Sequence, residues 1–458
     1  MLDPATAVPL RVQLVEALRS AILGGALAAD DVLPSTRAMA RSLGISRGTV
    51  TSAFEQLMGE GYLEAAVGVG TRVSAGVRAV GVVDRTSGRG IHAPAVATVK
   101  VDARPGYPAP VALDSAWSRA WRTALAAATE SRPHAAAGEP EFRAAIATHL
   151  RRFRGLAIDP DDVVVTGGSS DAFLLLGLAL GRGAVVAVEN PGYPRARTVL
   201  ERAGATLAPI DSSQGRMDVA ALSTLEPTPV AALVTPSHHY PLGGVLPVPD
   251  RLDLLEWARR SGAIVIEDDY DSEFRHVTQP LPAIASLDTD GRVALVGSFS
   301  KVLSTRLRCG YIIARGDFGE RVRQVREELD SPVSVVQQFA LAHYLESGGL
   351  ARSVARSRRI YSHRRSLILR ELGAEPGLTI SALDGGLHVV VRSAVSDFAS
   401  RLADRGILVE PLSRYGVDAA SPGPAASLPG GFVMGYGACG DLDLSLAIDE
   451  IRDIHRSQ

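Results

Sequence analysis

Five short apolar runs between residues 162 and 297 each end in residues that carry chemistry. Val163-Val164-Val165 leads into Thr166-Gly167-Gly168-Ser169-Ser170, and Val185-Val186-Ala187-Val188 into Glu189-Asn190-Pro191-Gly192-Tyr193-Pro194-Arg195. Ala231-Ala232-Leu233-Val234 leads into Thr235-Pro236-Ser237-His238-His239-Tyr240, and Ala263-Ile264-Val265-Ile266 into Glu267-Asp268-Asp269-Tyr270-Asp271. The last, Val293-Ala294-Leu295-Val296, leads into Gly297-Ser298-Phe299-Ser300-Lys301. Runs this apolar are strands buried on both faces, and helical patterns alternate with them, as over residues 141–154 and 171–180. The alternation predicts an open α/β sheet with its ligand outside the carboxyl ends of the strands.

Lys301 is the most informative of these terminal residues. The chain has two lysines, Lys100 and Lys301, so nearly all of its 48 basic residues are arginine. Arginine serves most surface roles of lysine but stays protonated and forms no imine. A lone lysine after a buried strand is a Schiff-base former, because desolvation lowers an amine's pKa. The other reading of this stretch alone is a surface lysine on a loop. Gly168-Ser169-Ser170, at a helix start, offers N–H groups and hydroxyls to an anion; it serves equally as a plain strand-to-helix turn. Tyr193 can stack on a flat ring, and Arg195 can meet a carboxylate. The histidine pair lacks a third ligand at useful spacing, so no metal is expected.

Together these parts suit pyridoxal phosphate. That cofactor needs an imine-forming lysine, a phosphate cradle, an acid that keeps the pyridine nitrogen protonated and a ring-stacking wall. Lys301 supplies the first. Gly168, Ser169 and Ser170 with Ser298 and Arg308 supply the second, Asp268 the third and Tyr193 the fourth. Tyr270 is expected at the phenolic oxygen, and His238 is grouped with the cofactor-binding residues.

The first 75 residues read differently. An amphipathic helix over 9–23 carries Leu10, Leu14, Leu18 and Ile22 on one stripe. Ser35 is placed to cap a second helix that Gly44 ends, and Ser46 to cap a third. Residues 62–64 and 71–73 suggest the two strands of a wing. This is a helix-turn-helix pattern whose third helix would meet a DNA major groove through Ser46, Arg47 and Thr49, while Ser35 and Arg37 meet phosphates. A packing or dimerisation module without DNA fits the same spacing. Six arginines stand against seven acids here, so any basic footprint is local.

Length and composition set limits without choosing a function. A chain of 458 residues predicts two to four domains, and 46% hydrophobic residues support large cores. The net charge of −2 neither requires nor excludes a nucleic-acid partner. Cys309 and Cys439 are the only cysteines, too few for a disulfide framework. No apolar stretch has membrane-span length and no signal-peptide pattern opens the chain, so a cytoplasmic protein is expected. The expected domains are 1–75, a linker over 76–104, and 105–458. Within the last, a large domain spans about 133–320, and a smaller α+β domain takes 105–132 and 321–458. Its arginine-rich helix, about 352–372, reads as a solvated face or, less readily, a DNA-contacting stripe.

Leu33-Pro34-Ser35-Thr36-Arg37, Leu43-Gly44-Ile45-Ser46-Arg47-Gly48-Thr49-Val50 and Glu60-Gly61-Tyr62-Leu63 resemble the winged helix of GntR-type regulators. The later stretches, from Pro191-Gly192-Tyr193 to Gly297-Ser298-Phe299-Ser300-Lys301, resemble fold-type I aminotransferases of class I. The combination resembles the MocR family, which fuses the two. The resemblance implies a cytoplasmic head-to-tail homodimer that binds operator DNA and pyridoxal phosphate. Three departures stand out. The wing, Ala65 to Thr71, lacks the arginines that relatives often carry. The aromatic residue usual near Pro133 is absent. Val433 occupies the position, two residues before Gly435-Tyr436, where aminotransferases place an arginine for the substrate carboxylate. The last two disfavour transamination and leave cofactor binding intact. The missing arginine resembles the PdxR branch, in which the cofactor is itself the effector and vitamin B6 synthesis genes are controlled. The alternatives are a regulator answering an amino acid such as 4-aminobutyrate or taurine, with Arg195 as its carboxylate partner, and a working aminotransferase.

Overall fold

The computed structural model describes residues 3, 8–66, 70–77, 99–110, 114–127, 133–276, 282–395, 397–417 and 430–457. The chain divides into two compact units, Met1–Ala95 and Val96–Gln458.

Among the described residues, the first unit has three helices, α1 (Leu10–Leu23), α2 (Thr36–Leu43) and α3 (Arg47–Gly59), and a hairpin of β1 (Leu63–Ala66) and β2 (Gly70–Val73). Leu14, Leu18 and Ile22 of α1 bury against Val50, Phe54 and Leu57 of α3, with Leu63 and Val73 closing the core. The boundaries follow from capping. Ser35 Oγ accepts the Ala38 N–H at 3.2 Å, Ser46 Oγ accepts the Thr49 N–H at 3.1 Å, and Gly44 ends α2 at φ +65°. The hairpin is antiparallel, Leu63 opposite Val73 and Ala66 opposite Gly70. The middle of the wing, 67–69, lies outside the described residues.

The second unit begins with β3 (Val101–Asp102), α4 (Ser115–Ala127), α5 (Pro140–Arg154), β4 (Val163–Thr166) and α6 (Ser169–Leu180). There follow β5 (Val185–Asn190), α7 (Pro194–Arg202), β6 (Thr206–Asp211), β7 (Ala231–Val234), α8 (Val248–Ser261), β8 (Ile264–Asp269), β9 (Val293–Ser298) and β10 (Gly310–Ala314). Then come α9 (Gly316–Leu329), α10 (Val335–Glu346), α11 (Gly349–Leu372), β11 (Thr379–Ser381), β12 (His388–Arg392) and α12 (Phe398–Asp404). Last are β13 (Ile407–Leu408), β14 (Glu410–Pro411), β15 (Gly431–Gly435) and α13 (Asp441–Arg456).

Seven strands form the main sheet in the order β4-β10-β9-β8-β7-β5-β6. Only β10 runs antiparallel to its neighbours, β4 and β9. Alternation along β8 sends Ile264 and Ile266 to a core with Phe173, Leu176 and Leu200, and Val265 to the opposite core with Leu254 and Trp257. Chain order reverses between β5 and β7, since β6 lies outside β5 and β7 lies inside it. The crevice at such a reversal is where open α/β sheets take ligands.

A second, antiparallel sheet, β11-β12-β15-β14, is packed by α11, α12 and α13 through Ile368, Phe398, Phe432 and Ile448. The α11 arginines are not uniformly solvated. Arg364 is buried, and its guanidinium donates to the carbonyls of Tyr436 (3.0 Å) and Gly437 (2.7 Å), while Arg365 donates to that of Leu383 (2.6 Å). The end of the expected connector is built into this unit. β3 pairs with β13, and Val101 and Ala103 are buried. Among the described residues, no helix is long and apolar enough to cross a membrane.

Candidate functional site

Lys301 follows β9 in a tight turn that apolar neighbours hold down. Phe299, Val302 and Leu303 are buried, and the Phe299 N–H bonds the Cys309 carbonyl at 3.0 Å. The amine is left to face inward, where Nζ donates to the Gly106 carbonyl at 2.6 Å. Burial lowers its pKa from 10.5 to about 8, against the opposing pull of Asp268 and Asp271.

Asp268 is the penultimate residue of β8, on the face of Ile264 and Ile266. It is buried, and burial first, then repulsion from Asp269, pushes its carboxyl up to about 7, with Lys301 pulling the other way. Its neighbours Glu267 and Asp269 point to the opposite side of the sheet. Glu267 accepts the N–H groups of Ile284 (3.0 Å) and Ala285 (2.9 Å), and Asp269 pairs with Arg154 at 3.0 Å. A small cavity beside Asp268 is lined by Val188, Glu189, Tyr193, Arg197, Leu233 and Thr235. Glu189 accepts the Thr235 hydroxyl at 2.6 Å; burial pushes its carboxyl up to about 8.

The other end of the site gathers groups whose chemistry suits an anion. Gly168, the residue just before α6, is at φ +94°, a conformation that favours glycine. A Cβ there would lie 3.8 Å from the Arg308 guanidinium. Arg308 itself is held at φ +47°, an unusual conformation for a residue with a side chain. Together these conformations set a guanidinium beside the N-terminus of α6, where Ser169 and Ser170 begin the helix. The Ser298 Oγ accepts the Ser300 N–H at 3.1 Å, and the Thr166 hydroxyl is buried with no hydrogen-bond partner among the described residues.

Aromatic rings wall the space between. Tyr193 meets Tyr240 edge-on, with centroids 5.6 Å apart, and Tyr240 meets Tyr270 at 5.5 Å. The Tyr270 hydroxyl is expected at a cofactor's phenolic oxygen. Here it lies 2.9 Å from His238 Nδ1, which is also 2.7 Å from Asp271 Oδ2. The other ring nitrogen of His238 is buried and has no hydrogen-bond partner among the described residues. Gly386 permits this crowding, since a Cβ there would fall 2.3 Å from Asp271 Oδ2.

Arg195 is exposed on α7 and is not among the residues lining the cavity. The arginine that does line it, Arg197, went unpredicted. It is buried and donates to the carbonyls of Tyr415 (2.7 Å) and Gly416 (3.0 Å). Helical spacing was the available signal, because Tyr193, Arg197 and Leu200 share one face. Val433 is fully buried in a cluster with Leu242, Ala382, Val390, Leu412 and Tyr415. His134, beside Pro133, pairs with Asp330 at 2.6 Å. Among the described residues, no group of three or more His, Cys, Asp or Glu is gathered to hold a metal.

In the first unit, Ser35, Arg37, Ser46 and Arg47 are exposed. Both serines are helix caps, and the Ser46 and Thr49 hydroxyls lie 2.8 Å apart. The two arginines stand on the first turns of α2 and α3, free to reach outward.

Residues 10–73 match the family model of bacterial regulatory proteins of the gntR family, and residues 110–425 that of aminotransferase class I and II. The pyridoxine biosynthesis regulator PdxR of Corynebacterium glutamicum is 36% identical, with 99% of this chain and 97% of that protein covered. The probable rhizopine catabolism regulator MocR of Rhizobium meliloti is 35% identical over 90% of this chain and 88% of that one. TauR of Rhodobacter capsulatus is 33% identical, covering 88% of each. The structure of an archaeal alanine:glyoxylate aminotransferase superposes with a TM-score of 0.70 at 23% identity, over 78% of this chain and 91% of that one. With a DNA-binding GntR winged helix ahead of an aminotransferase fold, the chain belongs to the MocR/PdxR family of transcription regulators.

Proposed function

We propose that this regulator senses pyridoxal phosphate with its second unit and controls vitamin B6 synthesis genes through an operator gripped by its first. The carrying observation is a half-buried lysine, its amine facing inward, beside a buried aspartate and close to a helix N-terminus fitted with an arginine. The residues fit the cofactor. The cradle would admit a dianion, and the buried, unpartnered Thr166 hydroxyl and His238 nitrogen lie among groups suited to a polar ligand. Bound pyridoxal phosphate supplies an aldehyde for an amine to attack and a ring nitrogen that a carboxylate keeps protonated.

Each residue then has a task. Gly106 holds the Lys301 amine in place, and burial keeps a useful fraction of it neutral near pH 8. Asp268 sits where a positive charge in the crevice would draw off its proton and settle its charge. Ser169, Ser170, Ser298 and Arg308 would hold the phosphate, and Tyr193 would cover one ring face. His238 and Tyr270 support the site from the side, each fixing the other. A valine at position 433 offers no fork for an amino-acid carboxylate, which supports a sensor over a catalyst. The relationship to PdxR supports the assignment to vitamin B6 genes. We further infer a homodimer as the DNA-binding species. The ligand acts on DNA binding only through unequal affinity for two arrangements of that dimer.

Borohydride trapping and footprinting test this reading together. Reduction in the presence of pyridoxal phosphate should fix label on the peptide carrying Lys301, and the vitamer should change protection upstream of the neighbouring gene. Absence of label on that peptide overturns the sensor assignment. Label without any change in protection overturns the regulatory one.

A further inference from the structure

The turn containing Tyr415 is fastened to the large domain by four hydrogen bonds. Arg197 donates to the carbonyls of Tyr415 (2.7 Å) and Gly416 (3.0 Å), the Gly192 N–H donates to the Tyr415 carbonyl (3.0 Å), and the Val417 N–H donates to Asn190 Oδ1 (2.9 Å). The fastening turns the Tyr415 ring onto Tyr240, with centroids 5.4 Å apart and hydroxyls 3.3 Å apart. Tyr240 in turn abuts Tyr193, Tyr270 and His388, so it is the hub of the aromatic wall. Tyr415 clusters with Leu412 and Val433, and the residue as a whole is 3% exposed. The wall thus continues without a gap from the cofactor side into the apolar cluster of the second sheet.

We propose that Tyr415, seated on Tyr240, is a specificity-determining plug. It fills the space that an amino acid reacting with the bound cofactor would occupy, so the site takes pyridoxal phosphate and rejects primary amino acids. The inference rests on the cofactor reading given above. Two physical effects act together. The ring removes volume, and the cluster of Leu242, Val390, Leu412 and Val433 would leave an entering carboxylate desolvated on that side.

The test uses the full-length protein loaded with pyridoxal phosphate, its visible band followed during addition of L-alanine, 4-aminobutyrate or taurine. The wild-type band should be unmoved by all three. Tyr415→Ala and Tyr415→Leu should take up the cofactor normally and lose the band to at least one amine, at least about tenfold faster than wild type. Tyr415→Leu keeps apolar contact with Leu412 and Val433, and thermal melts report folding of both variants. A wild-type band consumed as fast as that of Tyr415→Leu overturns the plug, as does an inert, folded Tyr415→Leu. A wild type that never develops the band overturns the cofactor reading instead, so the two failures are distinct.

Discussion

The Nζ of Lys301 and the carbonyl oxygen of Gly106 are 2.6 Å apart, although 195 positions separate them in the chain. Gly106 is at φ +104°, and a Cβ there would sit 3.1 Å from that amine. A glycine is therefore required both for its backbone and for its lack of a side chain. The contact holds the amine where burial can act on its charge.

The rate of pyridoxal phosphate uptake should climb with pH through a midpoint near 8, the value to which burial lowers the amine. The neutral amine is the reactive form. In the ligand-free protein the sign is the same. A depressed folded pKa contributes stability present above 10.5 and lost as pH falls towards 8. Stopped-flow absorbance across that range measures the uptake, and a midpoint at 10.5 would show an amine in contact with water. Lys301→Ala should abolish the borohydride-stable label altogether.

Asp268→Asn should affect stability and binding in opposite senses. Its carboxyl is raised from 3.8 to about 7, so its contribution is fully favourable below 3.8 and is lost as pH rises through 7. Melting of the ligand-free variant should exceed wild type above pH 7 and converge with it in acid. Pyridoxal phosphate affinity should fall, because an amide cannot carry the charge that holds the ring nitrogen protonated. Equal affinity in a fluorescence titration would remove Asp268 from the site.

Arg308→Ala should cost most with the phosphorylated vitamer. Wild type is expected to bind pyridoxal phosphate far better than pyridoxal. Loss of a charge-assisted bond, worth about 1.5–3 kcal/mol, should shrink that preference by at least about tenfold. Equilibrium dialysis with both vitamers reads the ratio, and an unchanged ratio would place the phosphate elsewhere.

Arg47→Ala should weaken operator binding by about 1–3 kcal/mol for a lost base contact and leave cofactor uptake intact. Arg37→Ala should weaken binding to any duplex and reduce the salt dependence by about one unit of slope. Gel-shift titrations on operator and scrambled DNA separate the two. Unaltered DNA affinity in Arg47→Ala would take α3 out of the groove.

The parts of this molecule that were legible in sequence are those governed by near neighbours. β4, β5, β7, β8 and β9 were visible because strands buried on both faces are continuously apolar. Ser35, Gly44 and Ser46 marked the helix ends because capping is local. Residues whose task depends on distant partners were not legible. Arg197 finds Tyr415 across 218 positions, a pairing that nothing beside it in the sequence announces. The solvated face expected for α11 was a fair reading of charge, but Arg364 meets carbonyls 72 and 73 positions away. Likewise Tyr270 meets His238, a pairing that strand spacing alone does not announce.

The antiparallel course of β10 against β9 has a consequence for how this pocket can change. Because the chain doubles back, Lys301 and Arg308 leave and re-enter the sheet at one end, seven positions apart. In the proposed reading, the phosphate-holding guanidinium and the imine-forming amine would thus be tied to a single short hairpin. A displacement of this hairpin would therefore move both groups together, whereas one at Val433, on the second sheet, would move neither.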